Sequence, residues 1–264
     1  MTAPNAPGEA ASPIWHPFTQ HALRPAFDKV QRAEGAYLTL QDGRRILDAI
    51  SSWWVITHGH CHPKITAAIR AQAEMLDQVI FAEYTHEAAE KLAAKLIALA
   101  PPGLEHVFFS DSGSTSVEVA LKMALGFWRH TDDTRHRIVV MQGSYHGDTI
   151  GAMSVGARGP FTAPYEALLF DVEHIPFPAQ GHEAATLEAF DAICRRAPVA
   201  ALIVEPLVLG AGGMLMYSPG CLKGLRDLCT THGVLFIADE VMTGWGRTGT
   251  LFACEQAGVT PDIA

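Results

Sequence analysis

Two rhythms of apolar and polar positions run along this chain, and the changes between them mark its elements. In residues 31–47 apolar side chains alternate with polar ones on both sides of Asp42-Gly43, which predicts a small hairpin with that pair in the turn. Pro63 then opens a stretch in which Ile65, Ala68, Ile69, Gln72 and Leu76 recur at helical spacing, with His62 placed as its cap. Residues 87–98 carry a second helical pattern, with Leu92 and Leu96 on one face and Pro101-Pro102-Gly103 as the stop. Downstream, short apolar runs alternate with helical patterns, predicting strands over 107–109, 138–141, 200–205 and 234–239 and helices over 116–129 and 222–232. The unbroken run Val234, Leu235, Phe236, Ile237, Ala238 belongs to a strand covered on both faces. Strands separated by helices argue for a mostly parallel sheet, so the fold class is α/β. Residues 13–60 read as the amino-terminal part of a smaller α+β domain, residues 61–264 as a large domain, and residues 1–12 as a mobile tail.

The candidate chemistry sits where those strands end. Asp239 stands at the carboxyl end of the last strand, the edge at which open α/β sheets bind ligands, and an acid placed there needs a partner. A protonated ring nitrogen is one candidate, because a carboxylate beside it holds the proton on and lets the ring accept electrons. In SDSGST, residues 110–115, Gly113 and Ser114 lie where a strand turns into a helix; free amides, the positive helix end and a hydroxyl converge there, which suits a phosphate dianion. In GSYHGDT, residues 143–149, Tyr145 offers an aromatic face, and His146 and Asp148 offer polar groups. A phosphate cradle, a stacking aromatic and a ring-nitrogen acid together describe a pocket for pyridoxal 5'-phosphate.

Other readings of these residues compete. His58, His60, Cys61 and His62 crowd together as metal ligands would, but Gly59 and Pro63 suggest a turn in which side chains diverge, so no metal is expected. Residues 244–249, GWGRTG, fit a dinucleotide-binding spacing, yet four residues intervene after the strand and no amphipathic helix follows. Tyr145 could be an ordinary core tyrosine, though its place after a strand favours stacking. Trp53 and Trp54 could be core residues; adjacent indoles point in different directions, which places at least one on a surface or cleft. Glu205 ends one strand as Asp239 ends another, and needs a hydrogen-bond partner of its own. For Arg247, a structural salt bridge is preferred over a substrate role.

The segments IWHPFTQ, LDAISSWWVITHGHCHP, DSGSTSVEVALKMAL, YHGDT with GAMSV, IVEPLVLGAGGM and IADEVMTGWGRTG occur here in the order found in class III, fold-type I aminotransferases. The chain resembles that family from Ile14 to Ala264, and the paired tryptophans with the WHP opening narrow the resemblance to members that serve biotin synthesis. The resemblance implies pyridoxal 5'-phosphate as cofactor, with Gly113 and Ser114 on its phosphate, Tyr145 on its ring or on substrate, Asp239 on its ring nitrogen and Val241 against the opposite ring face. It implies S-adenosylmethionine and 8-amino-7-oxononanoate as small-molecule substrates, with Trp53, Trp54 and Phe18 toward the amino ketone, and a homodimer as the working assembly. Some relatives carry Tyr at the position of Phe18, which leaves the acceptor without that hydroxyl. Lysine in place of S-adenosylmethionine is the other donor considered. In the family the lysine that bonds the cofactor follows the GWGRTG motif within a segment beginning PDI. Lys29, Lys64, Lys91, Lys95, Lys122 and Lys223 match no such position. The expectation is therefore the amino-terminal part of a longer enzyme, inactive by itself. Alternatives are a class III enzyme acting on an ω-amino acid or ornithine, and a cofactor- or partner-binding protein without turnover.

Composition narrows the remaining classes. With 264 residues, 48% of them hydrophobic and 18% charged, the chain can bury a large core. A net charge of -9 with no basic stripe argues against nucleic acid or an anionic membrane as partner. The longest apolar stretch, residues 197–213, is broken by Pro198, Glu205 and Pro206, so no span is expected. Five widely spaced cysteines without a CxxC fit reduced thiols, and with no signal-like opening the expected location is the cytosol.

Overall fold

The computed structural model describes residues 12–23, 26–131 and 133–264, so most of the expected tail lies outside the described residues. The chain forms two compact units that divide between Tyr84 and Thr85.

The first unit is built on an antiparallel sheet of β1 (Val30–Glu34), β2 (Tyr37–Leu40) and β3 (Arg45–Leu47), in that order. Its β2-β3 turn carries Asp42-Gly43 as expected; Gly43 has φ 88°, a conformation that glycine adopts without steric cost. The one-turn element α1 (Ser51–Trp54) follows, then α2 (Pro63–Ala73) with Pro63 at its start. His62 precedes α2, but its side chain makes no capping hydrogen bond, so proline geometry alone opens that helix. All four residues of α1 have positive φ, from 45° to 68°, and none is glycine. Each left-handed non-glycine residue costs roughly 1–2 kcal/mol, so this turn has to be held by its surroundings.

In the second unit α3 (Glu87–Leu99) and α4 (Gly113–His130) precede a four-stranded parallel sheet of β4 (Arg137–Met141), β5 (Glu173–Ile175), β6 (Val199–Val204) and β9 (Leu235–Ala238), ordered β5-β4-β6-β9. The side chains of the sheet alternate between two cores. Ile138, Val140, Ala201, Ile203 and Ile237 pack with Val117, Leu121 and Ala124 of α4 and with Ala152 of the short α5 (Ile150–Ser154). Val139, Met141, Leu202, Val204 and Phe236 face α6 (Glu183–Arg196) and α7 (Pro219–His232) through Phe190, Ile193, Leu222, Leu225 and Cys229. With helices on both faces, all six residues of β6 are buried, which explains an apolar run without alternation. The antiparallel pair β7 (Val208–Leu209) and β8 (Leu215–Met216) lies between β6 and α7 in sequence.

One expectation needs correction, and two elements went unanticipated. Val107, Phe108 and Phe109 form no strand; Phe108 is 63% exposed, and an apolar run without a neighbouring ladder stays irregular. Helix α6 and strand β5 had no counterpart in the sequence reading. The helix has only Thr186, Phe190 and Ile193 buried, and the strand is three residues long.

Candidate active site

The connection leaving β4 leads to β5 on one side, whereas β6 and β9 lie on the other, so the strand order reverses between β4 and β6. Such a reversal opens a crevice at the carboxyl ends of the strands. The loop after β4, Glu205 after β6 and Asp239 after β9 all meet this edge.

Asp239 is held by its backbone, which donates to Val204 O at 2.8 Å, and its side chain is 8% exposed. Its Oδ2 lies 2.7 Å from Nδ1 of His146, and its Oδ1 accepts from the Val241 amide at 3.1 Å. An ionised carboxylate only accepts, so Nδ1 of His146 carries the proton and donates. The imidazole is fully buried, and its Nε2 has no hydrogen-bond partner among the described residues.

Tyr145 bridges the reversal point. Its amide donates to Glu205 Oε1 at 3.0 Å, while its hydroxyl donates to Asp148 Oδ2 at 2.9 Å and its ring stays 44% exposed. Burial, then the hydrogen bond to Asp148 and the charges of Asp148 and Asp239, push the phenol up to about 12. Glu205 takes a second amide, from Gly210 at 2.8 Å, and its burial raises its pKa against the opposing pull of the two amides and His146.

The helix start closes the ring of contacts. Ser112 caps α4 by accepting from the Thr115 amide, and the Thr115 hydroxyl accepts from the Ser112 amide. Those two amides are thereby used, while the amides of Gly113 and Ser114 have no acceptor within the helix. Ser114 Oγ accepts from the Asp148 amide at 3.0 Å and keeps its own proton to donate. A Cβ on Gly113 would lie 3.3 Å from Val241, and one on Gly147, at φ 125°, would overlap Ser114 Oγ. Gly113, Ser114, Tyr145, Asp239 and Val241 thus form one contiguous group, with His146 and Asp148 as links.

The residues fit the expected cofactor on their own chemistry. Two free amides and a hydroxyl at a helix start suit a phosphate, an open aromatic face suits a ring, and Asp239 has used two of its roughly four acceptor positions. A matching family model, described as aminotransferase class-III, covers residues 19–264. The chain belongs to the class III aminotransferases. It is 52% identical over 258 residues to an adenosylmethionine-8-amino-7-oxononanoate aminotransferase of Synechococcus elongatus, covering 95% of this chain and 61% of that protein. A relative of the same description from Geobacter sulfurreducens is 42% identical, with 95% and 59% covered. Among solved structures, the enzyme of that description from Methanocaldococcus jannaschii superposes with TM-score 0.86 at 34% identity, covering 92% of this chain and 56% of that one. An amine transaminase from an uncultivated Pseudomonas species, in its PLP-bound form, gives TM-score 0.88 at 32% identity, with 96% and 61% covered. The chain spans about 60% of the length of these relatives. The architecture is accordingly the fold-type I fold of PLP-dependent transaminases.

In this class III chain the three aromatic candidates of the first unit also come together. Phe18 stacks on Trp53 with centroids 6.1 Å apart, and Trp54 meets Trp53 edge to face at 6.5 Å. The indoles do diverge, and Trp53 is 62% exposed. His60 turns to Asp48 and His58 to Thr57, and no group of three or more potential metal ligands assembles among the described residues. After Gly249 come turns and a short 3-10 helix, Ala253–Ala257, unlike a dinucleotide fingerprint. Arg247 forms no ion pair among the described residues and donates instead to Met242 O at 2.6 Å, so the salt-bridge expectation is corrected.

Two residues escaped the sequence reading. His146 was read only as a polar group, not as the partner of Asp239. Glu240, beside Asp239 in sequence, is buried and accepts from Thr243 Oγ1 at 2.6 Å and from the amides of Ala253 and Cys254 at 3.0 and 2.9 Å. The signal for it was a second acid following a buried strand, which must find donors wherever the chain returns.

Proposed function

We propose that the complete protein transfers the amino group of S-adenosylmethionine to 8-amino-7-oxononanoate, forming 7,8-diaminononanoate for biotin synthesis. The observation that carries the chemistry is Asp239, held by buried His146 at a strand end, within the same ring of contacts as the free amides of Gly113 and Ser114. The printed names of relatives up to 52% identical support the substrate pair. Bound pyridoxal 5'-phosphate would supply an electron sink for the carbon that carries the transferred amine. The amides of Gly113 and Ser114 and the Ser114 hydroxyl hold its phosphate. Asp239 keeps the proton on its ring nitrogen, and His146 keeps Asp239 oriented. Tyr145 and Val241 confine the ring, while Trp53, Trp54 and Phe18 recognise the acceptor. A cytosolic homodimer belongs to the same proposal.

Purified complete protein, supplied with the cofactor and 8-amino-7-oxononanoate, tests this reading. Mass spectrometry should detect 7,8-diaminononanoate with S-adenosylmethionine as donor. Product with lysine alone would replace the donor. Turnover only with ω-amino acids or ornithine would replace the reading.

A further inference from the structure

The left-handed turn Ser51–Trp54 is gripped by one carboxylate. Asp48 Oδ1 accepts from the Ser52 amide at 2.9 Å, and its Oδ2 accepts from the Ser52 hydroxyl at 2.7 Å and from His60 Nε2 at 2.8 Å. Both side chains of the pair are largely buried, at 5% exposure for Asp48 and 13% for His60. Each is anchored to the β1-β2 turn: the Asp48 amide donates to Ala36 O at 2.9 Å, and His60 exchanges backbone hydrogen bonds with Gly35 at 2.7 and 3.1 Å. The close approach is built in, since a Cβ on Gly59 would lie 3.1 Å from the Gly35 backbone. The hairpin therefore supports Asp48 and His60, these fix Ser52, and Ser52 leads directly into two indoles whose backbone is left-handed.

We propose that Asp48 and His60 form a clamp that sets the mutual orientation of Trp53 and Trp54, and that this orientation governs affinity for the amino acceptor. Four successive left-handed residues without glycine do not persist unaided, and backbone in such regions survives only where the surroundings over-determine it. The ionised Asp48 supplies two of those constraints, both to Ser52, and the His60 proton fixes which way the carboxylate faces. The acceptor half of the proposal rests on the assignment of Trp53 and Trp54 to substrate recognition; the orientation half does not.

The test uses the complete protein loaded with cofactor and the variants D48A, S52A, H60A and H60Q, with W53A as reference. Two indoles 6.5 Å apart give an exciton-coupled circular dichroism band, read as the difference from a W54F version of each variant. The expected result is loss of that band in D48A and S52A, weakening in H60A and recovery in H60Q, which keeps a donor for Asp48. The acceptor KM should rise about tenfold in D48A with kcat little changed, as expected when binding is lost equally in ground and transition states. S52A serves where D48A fails to fold, since it removes a single hydroxyl. An unchanged band in both variants overturns the clamp. A lost band with unchanged KM, where W53A raises KM, overturns the link to acceptor affinity. If W53A also leaves KM unchanged, the recognition role of the tryptophans has failed, and the band alone decides the clamp.

Discussion

His146 donates from Nδ1 to Oδ2 of Asp239 across 2.7 Å, joining two residues that follow strands β4 and β9 with β6 between them. This bond holds one carboxylate oxygen, and the Val241 amide holds the other. In the complete enzyme, D239N should lower kcat about 10²-fold or more, the scale of losing a preorganised charge at a reacting group. H146A should cost less, roughly 10 to 100-fold, matching the ~1.5–3 kcal/mol of a hydrogen bond to a charged group. Steady-state kinetics with saturating cofactor checks the order; H146A as severe as D239N would mean that the histidine acts directly on substrate.

Gly147 leaves no room for a side chain, because a Cβ there would overlap Ser114 Oγ at a backbone angle unsuited to alanine. G147A should therefore lower stability by about 1–3 kcal/mol and weaken cofactor binding, with displacement of Ser114, proposed above to hold the phosphate, as the cause. S114A removes only the acceptor for the Asp148 amide and one hydroxyl, and should lose about 1 kcal/mol. Denaturant midpoints and cofactor titration measure both. Equal effects in the two variants would contradict a steric cause.

Glu240 ties its own loop to the Ala253–Ala257 turn through two amides and to Thr243 through a hydroxyl. E240A leaves those buried donors without an acceptor and should cost about 2–4 kcal/mol, whereas E240Q, which keeps one carbonyl, should cost less. Urea unfolding of the complete protein decides; an E240A protein as stable as the original would remove this structural role.

Asp48 has its pKa lowered from 3.8 to about 2, first by the Ser52 amide, then by the Ser52 hydroxyl and the His60 bond. A folded-state pKa below the unfolded value means stability that is present above the unfolded pKa and lost as pH falls through the folded one. The stability gap between the original protein and D48N should thus be complete above about pH 4 and vanish toward about pH 2. Denaturant unfolding across that range reads it, and a gap that stays constant throughout would show that Asp48 is not held ionised by these bonds.

Much of the sheet was legible because local composition dictates it. The runs that became β4, β6 and β9 are apolar without alternation, and only strands covered on both faces tolerate that. Asp239 and Glu205 could be placed at the ligand edge from order alone, since parallel strands bring their carboxyl ends together; the Gly113-Ser114 helix start was legible as a capped helix start, but the strand expected before it is not there. Val107, Phe108 and Phe109 had the same local composition, yet the fold offers them no ladder, and nothing in three residues announces that.

What the sequence by itself determined is therefore the set of elements with strong periodicity and the residue types available at their ends. Pairing was decided by tertiary structure: Asp239 with His146 over 93 residues, Glu205 with the Tyr145 amide over 60, and Glu240 with two amides further along. The left-handed turn at Ser51–Trp54 belongs with these, because no local preference of Ser or Trp favours it. Periodicity is a property of neighbours along the chain, whereas a buried carboxylate takes whichever donor the folded backbone brings within about 3 Å.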